Sequence, residues 1–112
     1  MQPRIMFIDC KANGLHGSAR IGRVEYSNSG RTVYYRGREL MRVKGGYKYN
    51  YIDVENQDHY WISGCKRRGG DTLYGGVIPI DDDVREEYWT LIRNKPECVH
   101  QTSVRCPGKY NK

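Results

Sequence analysis

The stretch YKYNYIDVENQDHYWIS, residues 47–63, carries the clearest alternation in the chain and decides its fold class. Its first half places Tyr47, Tyr49 and Tyr51 on one face of a strand, because successive side chains of a strand point to opposite faces. A polar run follows in the middle, and an aromatic and β-branched run returns. The stretch predicts a β-hairpin, and whether its tyrosine row faces the core or the solvent stays open.

A second hairpin is predicted upstream of this one. Residues 20–26 and 32–36 are typical of strands, and Ser27-Asn28-Ser29-Gly30 between them is a turn in which Gly30 can adopt a positive φ. Gly37 indicates a bulge or bend before the next strand. Further short strands are predicted at residues 5–9, 39–43, 72–74 and 77–80.

One helix is predicted near the C-terminal end, over about residues 82–94. Asp82 or Asp83 can cap it, and Pro96 ends it. An apolar stripe at helical spacing faces the core and consists of Val84, Tyr88, Leu91 and Ile92. Residues 97–112 show no periodicity, so we expect a single β-rich domain over residues 1–96 and an irregular tail.

These elements predict a mainly β fold with one C-terminal amphipathic helix. Five or six short strands joined by hairpin turns indicate a small curled antiparallel sheet or an SH3-like, partly open barrel. The alternative is an open twisted sheet with the helix across one face.

The composition narrows the class of protein. The chain has 112 residues, and no apolar run approaches the roughly 20 residues of a membrane span. The run Ile5-Met6-Phe7-Ile8 is too short for the core of a signal peptide. We therefore expect a cytoplasmic protein without a membrane partner, and its four cysteines as reduced thiols.

The net charge of +6 is unevenly distributed along the chain. Residues 20–48 hold eight Arg and Lys side chains against two Glu, whereas residues 81–97 hold six acidic side chains against three basic ones. Such polarisation indicates a basic surface for an anionic partner.

Two segments combine this charge with residues that suit nucleic acid. In the run 31–38, arginines can bind phosphates and an exposed tyrosine can stack on a base, and Tyr34 and Arg36 would share a strand face. In the loop 63–70, three cations lie between glycines. The leading hypothesis is a non-enzymatic binding module, with nucleic acid as the first partner. Its candidate binding residues are Arg20, Arg23, Tyr34, Arg36, Arg38, Lys48, Tyr49, Lys66, Arg67 and Arg68.

The alternative hypothesis is a protein-interaction module, namely an inhibitor, immunity protein or adaptor that docks on an acidic protein surface. The row Tyr47, Tyr49 and Tyr51 would then anchor the partner, because tyrosine is enriched at interfaces. The oligomeric state stays open.

The sequence supports a catalytic or metal site less than it supports a binding surface. A thiol-dependent activity would need Cys65 and His59 to meet, and proximity along the chain is its sole basis. Cys98, His100 and Cys106, with Cys10 or Cys65 as a fourth ligand, do not match a common zinc spacing. We therefore expect no enzyme activity, no cofactor and no metal.

Four segments also carry a resemblance: Arg20-Ile21-Gly22-Arg23-Val24, Tyr34-Tyr35-Arg36-Gly37-Arg38, Tyr60-Trp61-Ile62-Ser63-Gly64-Cys65-Lys66 and Val84-Arg85-Glu86-Glu87-Tyr88-Trp89. In them the chain resembles a family of small single-domain bacterial proteins of unassigned function, over about residues 5–96. The resemblance implies a stand-alone bacterial cytosolic protein and supplies no catalytic residues.

Overall fold

The computed structural model describes residues 3–11, 18–44, 49–66 and 76–106, and they form two sheets, one short helix and a separate 3₁₀ turn (Pro96–Cys98). The predicted strand at residues 72–74 lies outside the described residues. In chain order the strands are β1 (Arg4–Cys10), β2 (Ser18–Tyr26), β3 (Thr32–Tyr35), β4 (Arg38–Arg42), β5 (Tyr51–Asp53), β6 (His59–Gly64), β7 (Gly76–Pro79) and β8 (Ser103–Cys106).

Strands β1 to β6 form a closed antiparallel barrel in sequence order. The seam closes where β6 pairs with β1, with Ile62 opposite Ile8. Each strand of the barrel therefore has two hydrogen-bonded neighbours. The predicted mainly β fold, a small barrel with one helix, is confirmed. The open twisted sheet is wrong, and the barrel is closed rather than partly open.

Side chains fill the interior of the barrel. Strand alternation sends Met6 and Ile8 inward and Phe7 outward. Because a barrel of this size is just wide enough for side chains, its interior is a packed core. The buried members of this core are Met6, Ile8, Val24, Val33, Tyr35, Leu40, Tyr51, Tyr60 and Ile62.

A second core lies outside the barrel, against β1 and β2. The two-stranded sheet of β7 and β8 and the helix cover Phe7 and Ile21 there. Strand β1 is thus buried on both faces, which explains its continuous apolar run. The buried members of the second core are Phe7, Ile21, Ile78, Ile80, Val84, Tyr88, Trp89 and Val104.

Two short turns set the register of β2, β3 and β4. The predicted turn after β2 is confirmed, since the Gly30 N–H donates to the Ser27 carbonyl at 2.9 Å and Gly30 has φ 76°. Strands β3 and β4 are joined by Arg36 and Gly37, whose φ values are 50° and 77°. Of the bulge or bend predicted at Gly37, the structure has the bend, because Gly37 is the second residue of a two-residue hairpin turn of the type that requires two positive φ values.

The helix begins at Asp82 and ends at Ile92. It consists of a 3₁₀ turn (Asp82–Val84), an α turn (Arg85–Glu87) and a π turn (Tyr88–Ile92). The predicted cap by Asp82 or Asp83 is wrong. No described side chain caps the start of the 3₁₀ turn at Asp82 or the start of the α turn at Arg85. None of the described helices has the length and hydrophobicity that a membrane crossing requires.

The π turn changes which side chains of the helix are buried. Leu91 was expected on the apolar stripe, yet it is 71% exposed, and Trp89 is buried instead. The Arg93 N–H donates to the Tyr88 carbonyl five residues earlier, which widens the turn and shifts the buried face. A spacing of 3.6 residues therefore misplaces Leu91.

Residues 97–106 belong to the fold, which corrects this part of the irregular tail predicted over residues 97–112; residues 107–112 lie outside the described residues. Strand β8 pairs with β7, and its Val104 is buried in the second core. The Trp89 indole N–H also donates to the Gln101 carbonyl at 2.9 Å. A four-residue strand with one inward apolar side chain is too short to show a period, so the sequence carried no signal for it.

Candidate functional site

Strand β2 provides an open edge on which the candidate site is built. It has nine residues but pairs with β3 through Glu25 and Tyr26. Nearer the start of the same strand, Ile21 forms a parallel bridge with Ile80. The Ile21 carbonyl also accepts a hydrogen bond of 2.9 Å from the Asp81 N–H. This hydrogen bond fixes the backbone of Asp81 directly beside the barrel.

Gly22 makes room for the Asp81 side chain. A Cβ at position 22 would lie 2.5 Å from Asp81 Oδ2, 2.6 Å from Tyr35 Cε1 and 2.8 Å from the Tyr35 hydroxyl. These separations are far below van der Waals contact, so the site requires glycine for a close approach rather than for a special φ.

The Asp81 carboxylate is 6% exposed and accepts three side-chain hydrogen bonds. The Tyr35 hydroxyl donates to Oδ2 at 2.5 Å, and Arg20 Nε and Arg36 Nη2 donate to Oδ1 at 2.7 and 3.2 Å. A buried carboxylate is stable when such donors replace its water. Asp81 therefore holds two guanidinium groups next to one another.

The protonation states of Tyr35 and Arg20 are fixed at neutral pH. Burial, and then the hydrogen bond to Asp81, raise the pKa of the Tyr35 hydroxyl well above its ordinary value. The hydrogen bond to Asp81 raises the pKa of Arg20, although burial opposes it. The hydroxyl therefore remains a donor and the guanidinium remains charged.

Arg36 occupies a backbone conformation that a non-glycine residue seldom adopts. Its φ of 50° places it in the left-handed region, at a cost of about 1–2 kcal/mol. Its side chain is 57% exposed, and its guanidinium carbon lies 5.8 Å from the centre of the Tyr35 ring. Backbone outliers of this kind cluster at functional sites, so the φ of Arg36 favours a functional role for its side chain.

These residues line a groove of about 600 Å³, hereafter the Asp81 groove. Arg20, Arg23 and Arg36 contribute three positive charges to its lining. Arg23 is also bound to the helix, since its Nη2 lies 2.5 Å from Glu87 Oε1. The exposed Asp82 and Asp83 form an acidic rim of the same groove. The Asp81 groove thus has a basic wall and an acidic rim.

Of the other predicted binding residues, those that the structure describes do not line this groove. Tyr34 is 41% exposed on the outer face of the barrel, paired across the strands with Glu25 and Glu39. The predicted sharing of a strand face by Tyr34 and Arg36 is wrong, because Arg36 lies in the turn. Arg38 Nη1 lies 3.0 Å from Asp53 Oδ2.

Two of the predicted residues that the structure describes lie beyond the strands of the barrel. Tyr49 precedes β5, and Lys66 is exposed just after β6. Lys48, Arg67 and Arg68 lie outside the described residues. The structure thus brings Arg20, Arg23 and Arg36 together and leaves Tyr34, Arg38, Tyr49 and Lys66 elsewhere.

Asp53 is a second buried carboxylate, with a structural role. Burial by itself would raise its pKa, but the Glu55 N–H and the Arg38 guanidinium donate to it, and the pKa of Asp53 lies below its ordinary value. Asp53 thereby fixes the turn between β5 and β6.

The tyrosine row does not form one exposed anchor. Tyr51 is buried in the barrel core, whereas the half-buried Tyr49 stacks on His59 with ring centres 3.8 Å apart. Tyr47 lies outside the described residues. Tyr51 therefore faces the barrel core, whereas Tyr49 contacts the ring of His59.

The proposed thiol–imidazole pair has no geometric support. His59 begins β6 and stacks on Tyr49, whereas Cys65 follows the end of β6 and packs against the second core. An extended strand keeps the two roughly 20 Å apart. Among the described residues there is also no group of three His, Cys, Asp or Glu side chains that could hold a metal ion, and the side chain of Cys106 lies outside them.

Sequence reasoning missed the residue at the centre of the groove. Asp81 adjoins the predicted helix start at Asp82 and Asp83 in the sequence, although its carboxylate turns to the barrel. The available signal was Gly22, since a glycine inside a strand marks a place where another group approaches closely. The identity of that group depends on residues about 60 positions away and leaves no local pattern.

A comparison with family models, curated proteins and solved structures finds no match to this chain. The resemblance to a family of small bacterial proteins therefore stays a prediction.

Proposed function

We propose that this protein is a non-enzymatic binding module that uses the basic wall of the Asp81 groove to bind an anionic partner, with nucleic acid as the first candidate. The observation that carries the proposal is the convergence of Arg20, Arg23 and Arg36 on one open groove. Arginine binds phosphate through paired N–H groups, and each guanidinium has five donors.

The hydrogen bonds within the groove leave donors for a ligand. Asp81 engages Nε of Arg20 and Nη2 of Arg36, so each guanidinium keeps further N–H groups. More than half of the Arg36 side chain is exposed. A ligand can therefore reach the guanidinium while Asp81 still orients it.

Binding of a labelled single-stranded oligonucleotide, followed by fluorescence anisotropy at low salt, tests this proposal. We expect binding that weakens as salt increases, because the partner's phosphates release counterions. Arg36→Ala should weaken binding for every sequence tested. Arg105→Ala is the control for the loss of one charge, because Arg105 is an exposed arginine on β8 that does not line the groove. An absence of binding at low salt would refute the proposal.

A protein partner is the second candidate, and one specific observation favours it. The outer face of β3 and β4, with the turn after β5, exposes Tyr34, Met41 and Val54 at 41%, 48% and 39%. Glu25 and Glu39 flank Tyr34 and form no ion pair with other described residues. Such a surface suits a basic, partly apolar protein, rather than the acidic surface expected from the sequence.

Met41→Glu distinguishes this second candidate from the first. It should abolish a protein complex that survives nuclease treatment and leave oligonucleotide binding unchanged, because Met41 does not line the Asp81 groove. Loss of both activities, or of neither, would contradict the assignment of the protein partner to this face.

The proposal includes a bacterial, cytoplasmic location. Cys10 and Cys98 are free thiols, as is usual for proteins of a reducing compartment. Quantifying reactive thiols in protein from a cell extract, prepared with a rapid alkylating quench, tests this part.

A further inference from the structure

We propose that the Asp81 groove binds a single terminal phosphate, a phosphate monoester at the end of a nucleic acid strand, rather than a continuous run of phosphodiesters. This inference rests on the proposed function and specifies its ligand. It follows from the arrangement of charges in the groove and from the way Asp81 positions two arginines.

Asp81 makes the groove suited to one compact anion. Its Oδ1 accepts from Nε of Arg20 and from Nη2 of Arg36, which holds the two guanidinium groups side by side. Together the three side chains carry one net positive charge. A phosphate monoester carries more negative charge than a phosphodiester near neutral pH and offers three free acceptor oxygens. It can therefore contact both guanidinium groups at once.

The acidic rim argues against a strand that runs along the groove. The Asp82 side chain is 88% exposed, with its Oδ1 3.2 Å from Arg85 Nη1, and Asp83 is exposed beside it and forms no ion pair with other described residues. A strand that continued across this rim would place further phosphates near two carboxylates, and like charges repel. A strand end avoids this repulsion, because it presents one phosphate to the basic wall and leaves in the other direction.

Two further features favour a preformed site over flexible surface charge. Arg36 keeps its positive φ although most residues at that turn position would be glycine or asparagine. The Tyr35 hydroxyl anchors the opposite oxygen of Asp81 from within the barrel core. Asp81 is thus a positioning residue, and Arg20 and Arg36 are the binding residues.

The test compares internally labelled oligonucleotides of one sequence that differ at their ends: hydroxyl at both ends, phosphate at the 5′ end, or phosphate at the 3′ end. We expect at least one phosphorylated form to bind about tenfold more tightly than the hydroxyl form, which corresponds to about 1.4 kcal/mol. Arg36→Ala and Arg36→Lys should both remove that preference, since lysine cannot bind a phosphate through a planar pair of N–H groups. Arg105→Ala should keep it.

A second measurement separates the positioning role of Asp81 from a purely structural role. Inorganic phosphate is titrated into the protein, and NMR shifts of arginine side-chain N–H groups are recorded. We expect shifts at Arg20 and Arg36 in the original chain. In Asp81→Asn, if it remains folded, we expect weaker phosphate binding and altered arginine signals, whereas a structural role alone would leave the phosphate affinity unchanged.

The outcomes distinguish this inference from the proposed function. Equal affinity for all three oligonucleotides refutes the terminal phosphate and leaves the nucleic-acid proposal standing. A preference that survives Arg36→Ala places the phosphate elsewhere and also refutes the inference. Binding of inorganic phosphate at Arg20 and Arg36 without oligonucleotide binding supports the phosphate site and refutes nucleic acid as its source.

Discussion

Replacing Gly22 by alanine tests whether the Asp81 groove is built as described. The new methyl group would meet two atoms of Tyr35 and one of Asp81 at 2.5–2.8 Å. The Tyr35 ring is held in the barrel core and the Asp81 backbone is bound to Ile21, so neither can simply move away. Overpacking of this kind costs about 1–3 kcal/mol. Loss of the buried hydrogen bond from Tyr35 to Asp81 adds about 1.5–3 kcal/mol.

Gly22→Ala should therefore lower the free energy of unfolding by about 3 kcal/mol or more, measured by urea denaturation. Gly64→Ala is a matched control, because Gly22 and Gly64 are the two cross-strand neighbours of Met6. A Cβ at Gly64 would have its nearest contact at 4.0 Å, with the far end of the Arg4 side chain. We expect a change within about 0.5 kcal/mol there. Equal effects of the two substitutions would refute the close approach of Asp81.

Three further predictions concern other parts of the fold. Tyr35→Phe should cost about 2 kcal/mol in the free energy of unfolding, because Asp81 loses a buried donor, and urea denaturation measures it. Asp53→Asn should lower the free energy of unfolding by about 1–2 kcal/mol near pH 7. Because the folded-state pKa of Asp53 is lowered, this difference from the original chain persists above about pH 4. It disappears as the pH falls through the folded-state pKa. A pH series of denaturation curves that keeps a constant difference would contradict this sign. Val104→Asp should lower the urea midpoint strongly by burying a charge in the second core, whereas Arg105→Asp beside it should leave the midpoint nearly unchanged.

The sequence predicted the barrel because local signals and the fold agree over much of the chain. The Ser27–Gly30 turn and the alternation of the strands are readable from neighbouring residues, and six such strands at this length have to close or be covered. The closure itself was not readable. It depends on Ile8 meeting Ile62, a pairing over more than 50 residues that no local pattern encodes.

The candidate site was predictable in its charges and not in its geometry. Arg20, Arg23 and Arg36 stood out by composition, but their common location depends on Asp81, which joins β2 from a distant part of the chain. For Tyr34 the location was predictable and the surrounding charges were not. Alternation placed it correctly on an outer face, yet its neighbours across the strands are Glu25 and Glu39 rather than arginines.

The division of the buried side chains between two cores has a consequence for synthesis on the ribosome. A nascent chain that has emerged as far as Gly64 contains all six strands of the barrel. It still lacks every residue of β7, β8 and the helix, which cover Phe7 and Ile21. The barrel can therefore close while two of its largest outward apolar side chains remain bare. During that interval the nascent protein presents a surface that a chaperone can recognise, and emergence of the last described strand, Ser103–Cys106, ends the interval.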